Sequence, residues 1–297
     1  MTIMTIPNKR EPEYKEFKRE FKYINWSESG SLLHIAHATG LCSGVYSEFS
    51  ESFAKQYKVI GLDFRGHGKT KAPADPISLK NWEVFVNDLE AFFRHLKQPL
   101  VAVGHSMGGT ISAVLAARNP SLVSKLILIE PGLMPPIWRP FVYLAQKTGL
   151  SMHVPFVTRV TKRKGIWKNK EEAITELLNK GPFKSWRDEA LEAYVNEGIE
   201  SIENGLVKLR CSPIWEGRIL ATAPCGIWKE VSKIKSPTLV LYGAKSKTFL
   251  PSVATKIKKL IPHAIIKEMP NAGHFIPMEH PEESAEIVLR FIQEGIV

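Results

Sequence analysis

Cysteine is scarce in this chain of 297 residues. There are three, Cys42, Cys211 and Cys225, far apart and in no C-x-x-C or other metal-ligand spacing. An odd, sparse count fits free thiols in a reducing compartment rather than a disulfide framework. Long apolar runs are missing too. None approaches the ~20 residues that cross a bilayer, so no transmembrane segment is expected. Residues 1–15 mix apolar positions with Asn8, Lys9, Arg10, Glu11 and Glu13 and lack the hydrophobic stretch of a signal peptide. They read as a loosely held arm, and the expected location is cytoplasmic. Internal repeats, low-complexity tracts, phosphate-binding loops and metal-ligand clusters are absent, so no cofactor and no metal are expected.

Acidic charge is in short supply. Against 40 Lys and Arg stand 30 Asp and Glu, a net charge of +10. The densest basic run is Arg159-Val160-Thr161-Lys162-Arg163-Lys164, continuing to Lys168 and Lys170. Such a run can meet phosphates or a membrane surface, or steer anionic substrates through its field. Its ordinary reading is a solvated helix face or loop, so no nucleic-acid partner is expected.

What is present is an α/β pattern organised around Val101 to Thr110. A β-branched run from Leu100 reads as a buried parallel strand, and Thr110 to Arg118 as a helix stopped by Asn119-Pro120. Between them lies Gly104-His105-Ser106-Met107-Gly108. Strand, G-x-S-x-G and helix together are the context of a nucleophile elbow. The turn is so sharp that small residues must flank the serine, and it aims the first helical amides, Met107 included, where an oxyanion forms. Around it, strands are expected near 17–26 (a strand or an antiparallel pair at a sheet edge), 32–37, 57–64, 123–130, 237–243 and 264–269. Helices are expected near 45–53, 81–97, 253–260 and 282–294. The alternation stops between residues 133 and 233, where helical patterns recur without a clear buried strand. The expected organisation is therefore a core of residues 1–132 and 234–297, with a mostly parallel sheet and helices on both faces. A helical cap, 133–233, is inserted after the sixth strand, at the strand ends where such sheets bind ligands.

After the last strand comes Asn271-Ala272-Gly273-His274. A histidine on that loop can fold back over the elbow and take the proton of Ser106. Four motifs in this order, His37-Ala38-Thr39-Gly40, Asp63-Phe64-Arg65-Gly66-His67-Gly68, Gly104-His105-Ser106-Met107-Gly108-Gly109 and Gly273-His274, resemble the α/β-hydrolase superfamily in its capped esterase/lipase-like group, over roughly residues 17–296. The resemblance implies Ser106 as nucleophile, His274 as base, and an oxyanion hole from the amides of Thr39 and Met107. Ala38 stands where the family usually has glycine. Asp63 and Arg65 are expected to structure their loop. Haloalkane dehalogenases and epoxide hydrolases share the architecture but place an aspartate at the elbow, which Ser106 excludes here.

The family's acid usually follows the strand at 239–242 as Gly-x-x-Asp. This chain reads Gly243-Ala244-Lys245-Ser246 and has no carboxylate from Gly243 to Val253. Some members carry the acid after the preceding core strand, where this chain has Glu130. Glu130 is therefore the expected partner of His274, the alternative being a carboxylate that caps the turn at Pro131-Gly132. The expected substrate is a small, mostly apolar carboxylic ester. Its pocket is assigned to His105 and to cap aromatics such as Trp138 and Phe141, which can equally be the cap's own packing. A thioester, lactone, amide or C–C bond on the same triad stays open, as does a ligand-binding pseudo-hydrolase; the oligomeric state is not legible.

Overall fold

The computed structural model describes residues 12–178 and 180–297. Most of the expected arm, residues 1–11, lies outside the described residues. Its last residues do not hang free, because β1 (Glu13–Phe17) already pairs antiparallel with β2 (Phe21–Asn25) at the sheet edge. β3 (Ser31–Ala36), α1 (Ser47–Ala54), β4 (Tyr57–Leu62), α2 (Glu83–His95), β5 (Leu100–His105), α3 (Met107–Arg118) and β6 (Val123–Ile129) follow in strand–helix alternation.

Residues 133–233 then interrupt the alternation. They hold α4 (Arg139–Lys147), α5 (Pro155–Thr161), β7 (Ile166–Trp167), α6 (Lys170–Leu177), α7 (Asp188–Gly198), β8 (Ile199–Ser201), β9 (Val207–Leu209), α8 (Pro213–Ala221) and α9 (Trp228–Val231). The expectation of helices alone is corrected here. The three short strands make a second antiparallel sheet in the order β7-β9-β8. The core resumes with β10 (Thr238–Gly243), α10 (Pro251–Leu260), β11 (Ile265–Met269), α11 (Ile276–Glu279) and α12 (Pro281–Glu294).

The main sheet runs β1-β2-β4-β3-β5-β6-β10-β11, parallel from β4 to β11 and antiparallel at the β1–β2 edge. Its central strands are apolar on both faces, as strands covered on both sides must be. Successive residues feed opposite cores. Leu32, Ala36 and Ala102 pack with Phe85, Leu89, Ile111 and Ile257. Leu33, Ile35, Val101 and Val103 pack with Phe49, Phe53, Val288 and Phe291. α3 is buried along its whole length, from Met107 to Ala117, and is accordingly apolar or small on every face.

The insertion is tied to the core at named points. Trp215 Nε1 donates to the Arg65 carbonyl at 3.1 Å, and Trp82 Nε1 to that of Ile219 at 2.9 Å. The Arg187 amide reaches the Met278 carbonyl at 3.1 Å, and the Trp186 ring lies 5.2 Å from that of Phe275, beside His274.

Candidate active site

β5 delivers its chain to α3 with no loop between them. Ser106 makes the turn alone, at φ 52° and ψ −113°, in a region that side chains rarely adopt. The close approach explains the glycines around it. A Cβ on Gly104 would sit 2.5 Å from the Gly108 carbonyl oxygen, and one on Gly108 would sit 2.2 Å from that of Ala36. Backbone cannot yield there, so only glycine lets β5, β3 and α3 converge. The Ser106 amide donates to Ile129 O at 2.9 Å, and the Ser106 carbonyl accepts from Thr110 N and Gly132 N, each at 3.1 Å.

The next strand end carries a second strained residue. Glu130, directly after β6, has φ 47° and is fully buried. Its carboxylate is saturated. Oε1 accepts from the Gly243 amide at 2.8 Å, and Oε2 accepts from Ser246 Oγ at 2.6 Å and from His274 Nδ1 at 2.9 Å. A carboxylate offers only lone pairs, so Nδ1 carries the imidazole proton and Nε2 is left as an acceptor. Nε2 faces Ser106 Oγ at 3.1 Å. Ser106, His274 and Glu130 thus form one hydrogen-bonded chain from three different strand ends. The place where a carboxylate was missing is filled by Ser246, which serves Glu130 instead.

The same close approach sets the loop that carries Thr39 against the start of α3, where Met107 lies. Gly108 lies against the carbonyls of Ala36 and His37, which brings the loop after β3 onto the start of α3. Met107 is the first residue of α3, so its N–H has no acceptor within the helix. The loop is held by groups that the motif reading did not assign. His37 Nδ1 donates to Ala38 O at 2.8 Å and its Nε2 accepts from Phe64 N at 3.0 Å. His67 Nε2 accepts from Gly40 N at 3.2 Å. Burial holds both imidazoles neutral, lowering His67 to about 4 and His37 well below the usual histidine range. Asp63 accepts from the amides of Ser43 and Lys69, each at 2.8 Å, and Arg65 pairs with Asp88 at 2.6 Å. Burial pushes the Asp63 carboxyl up to about 6.

The expectation for His105 is corrected. It is 1% exposed, and both ring nitrogens are committed to protein partners, so it has no atom to offer a substrate. Nε2 faces the His274 carbonyl at 2.9 Å and so carries the proton; Nδ1 then accepts from Tyr46 Oη at 2.7 Å. Tyr46 Oη in turn accepts from the Ala38 amide at 3.0 Å. Every donor points the same way, from the loop bearing Thr39, through Tyr46 and His105, to the backbone of His274. Burial lowers the His105 imidazole to about 3, with the His274 ring a lesser cause, and keeps it in this neutral form. No sequence signal marks Tyr46, whose partners lie 8 and 59 residues away.

Trp138 and Phe141 are also corrected. They stand on the outside of the insertion, Phe141 73% exposed, and no described contact brings either to Ser106. Of the insertion's other aromatics, Trp186 and Trp215 are buried. Among the described residues no three His, Cys, Asp or Glu side chains converge as metal ligands, and no helix is long and apolar enough to cross a membrane.

A family model described as the alpha/beta hydrolase fold matches residues 32–148 and 162–281, most of the chain. The chain belongs to the alpha/beta hydrolase fold family. Among curated members it is 25% identical over 252 residues to the sn-1-specific diacylglycerol lipase ABHD11 of Mus musculus, covering 79% of this chain and 71% of that one. It is also 25% identical over 247 residues to the human monoacylglycerol lipase ABHD6, covering 80% and 68%. In architecture it is similar to E-2-(acetamidomethylene)succinate hydrolase, with a TM-score of 0.76, 18% identity, and 95% and 98% of the two chains covered. Membership of this family, with lipases and hydrolases among the relatives, supports a hydrolytic enzyme.

Proposed function

We propose that this alpha/beta hydrolase is a serine esterase that cleaves a mostly apolar carboxylic ester through an acyl-enzyme. The observation that carries the reading is the unbroken chain from Ser106 Oγ to His274 Nε2, and from Nδ1 to Glu130 Oε2, at 3.1 and 2.9 Å. Ser106 attacks the ester carbonyl while His274 Nε2 takes its proton. The oxyanion that forms is held by the amides of Met107 and Thr39, which need no reorganisation at that moment. Glu130 fixes the imidazole tautomer and stabilises the imidazolium. As the intermediate collapses, the C–O bond to the alcohol breaks and His274 hands the proton to the leaving oxygen. Water, activated by the same imidazole, then attacks the acyl-serine and releases the acid.

Residues 133–233 act as a cap over this cleft, held to the His274 loop through Trp186 and Phe275. An apolar substrate is supported by the lipases among the relatives. The three free cysteines, two of them buried, fit the cytoplasm. The test is hydrolysis of p-nitrophenyl esters of increasing acyl length by wild type and Ser106→Ala. Wild-type turnover on at least one chain length is expected, with Ser106→Ala slower by ~10⁴-fold or more. Turnover retained by Ser106→Ala would remove the serine from the chemistry.

A further inference from the structure

The strongest unexplained feature is the outer face of α4 and the segment after it. Helices of a folded chain turn their apolar stripe inward. α4 does the reverse. Ile137, Phe141 and Leu144 recur at i, i+4 and i+7, one face of the helix, and are 74%, 73% and 62% exposed. Trp138, Leu150 and Phe156 continue the exposed apolar surface over α5. The opposite side of α4 is the one that is anchored: Gln146 Nε2 donates to the carbonyls of Ala221 and Ala223 at 3.2 and 2.8 Å. The outward face is therefore a fixed orientation, and among the described residues it stays exposed. An exposed apolar patch of this kind marks an interaction surface.

The charge around the patch says what covers it. From residue 131 to 170 there are eight Lys and Arg and no Asp or Glu, so this stretch carries +8 of the chain's +10. Some of that charge is spent internally. Arg163 is turned inward to Glu216 and Tyr194, and Lys164 pairs with Glu172 and Glu176. Arg139, Lys147, Arg159 and Lys162 are exposed and make no ion pair with a carboxylate among the described residues. Arg159 shares the face of Phe156, three residues before it, and Lys147 lies 5.6 Å from the Tyr143 ring. Exposed apolar and aromatic side chains interleaved along the chain with unpaired cations, in a stretch without Asp or Glu, are complementary to an anionic lipid surface. A second copy of this chain fits poorly, because a two-fold contact would press these cations against their own images.

The patch also starts close to the serine. Gly132 is hydrogen-bonded to the Ser106 carbonyl, and Ile137 is five positions further along the chain, a reach of at most ~18 Å. We propose that residues 137–162 form an interfacial docking surface that seats the protein, cap first, on an anionic lipid surface. The apolar face of α4 enters the acyl boundary, and Arg139, Lys147, Arg159 and Lys162 meet the headgroups.

The test uses the full chain carrying Ser106→Ala, so that no lipid is turned over and docking is read apart from hydrolysis. Flotation with phosphatidylcholine vesicles, with and without phosphatidylglycerol, is the readout. Binding is expected to the anionic vesicles, to weaken as salt is raised, and to be far weaker on phosphatidylcholine alone. In this background Arg159→Gln and Lys162→Gln should each weaken anionic-vesicle binding about fivefold. Phe141→Asp and Leu144→Asp should each weaken it about tenfold or more, with unfolding midpoints unchanged because neither side chain is packed inside. No flotation on anionic vesicles, or binding untouched by all four substitutions, overturns the proposal and leaves the esterase reading standing. So does a concentration-dependent dimer in sedimentation velocity that Phe141→Asp abolishes, since a second copy would then be the occupant.

Discussion

At the scale of single residues, the site depends on buried groups whose hydrogen bonds are all spoken for. Glu130→Gln keeps the shape of the side chain but loses the acceptor that holds His274 in its working tautomer. Steady-state kinetics should show kcat/KM down by ~10²-fold or more, yet less than for Ser106→Ala, because the serine and the proposed oxyanion amides are untouched. Wild-type kinetics in Glu130→Gln would leave a Ser106–His274 dyad. Tyr46→Phe breaks the Ala38–Tyr46–His105–His274 relay and strands a buried amide and a buried imidazole nitrogen, for about 1–3 kcal/mol of stability. The urea midpoint should fall accordingly, with kcat lowered more than KM is raised; an unchanged midpoint would show that the relay does not bear on the fold. Ser106, His274 and Glu130 could all be named from the sequence because each lies directly after a strand or on the loop that follows one, where topology alone brings distant residues together. Tyr46 and Ser246 could not. Their parts are set by packing across 59 and 116 residues, which leaves no periodicity and no motif.

At the scale of elements, the convergence of β3, β5 and α3 is the tightest point of the fold. Gly108→Ala would put a methyl group 2.2 Å from the Ala36 carbonyl oxygen, backbone against helix. The expected result is a loss of more than about 3 kcal/mol in urea unfolding, or failure to accumulate folded protein. Wild-type stability would show that α3 can retreat from the sheet. The long core strands and α2 were legible because their apolar spacing runs over enough residues to fix a period. β7, β8 and β9 were not, being two or three residues each, too short for alternation to register. The helices of the insertion were legible as helices, but their facing was not. Trp138 and Phe141 read as pocket or core because apolar residues usually turn inward, and α4 departs from that rule.

At the scale of the whole molecule, four buried histidines set the response to acid. Burial lowers His34 and His105 to about 3, His67 to about 4, and His37 well below 6.5. An unfolded chain protonates each near 6.5 while the folded one refuses, so their stabilisation is present above 6.5 and is lost as pH falls below it. Asp63, raised to about 6, works in the opposite sense and favours the folded state as pH falls. Burial raises the Glu216 and Glu48 carboxyls as well, so four imidazoles stand against three carboxyls, and stability should still drop from pH 6.5 to pH 5 by about 1.4 kcal/mol per pH unit for each net proton taken up. Urea midpoints across that window check it, and a flat profile would contradict the buried, neutral histidines. The central claim concerns one atom, Ser106 Oγ, made nucleophilic by His274. Intact-mass spectrometry with peptide mapping, after brief exposure to a fluorophosphonate, tests it most directly. A single adduct on Ser106 in the wild type, and labelling slowed by orders of magnitude in His274→Ala, is the predicted result. No adduct, an adduct on another residue, or equal labelling of the two proteins would contradict it.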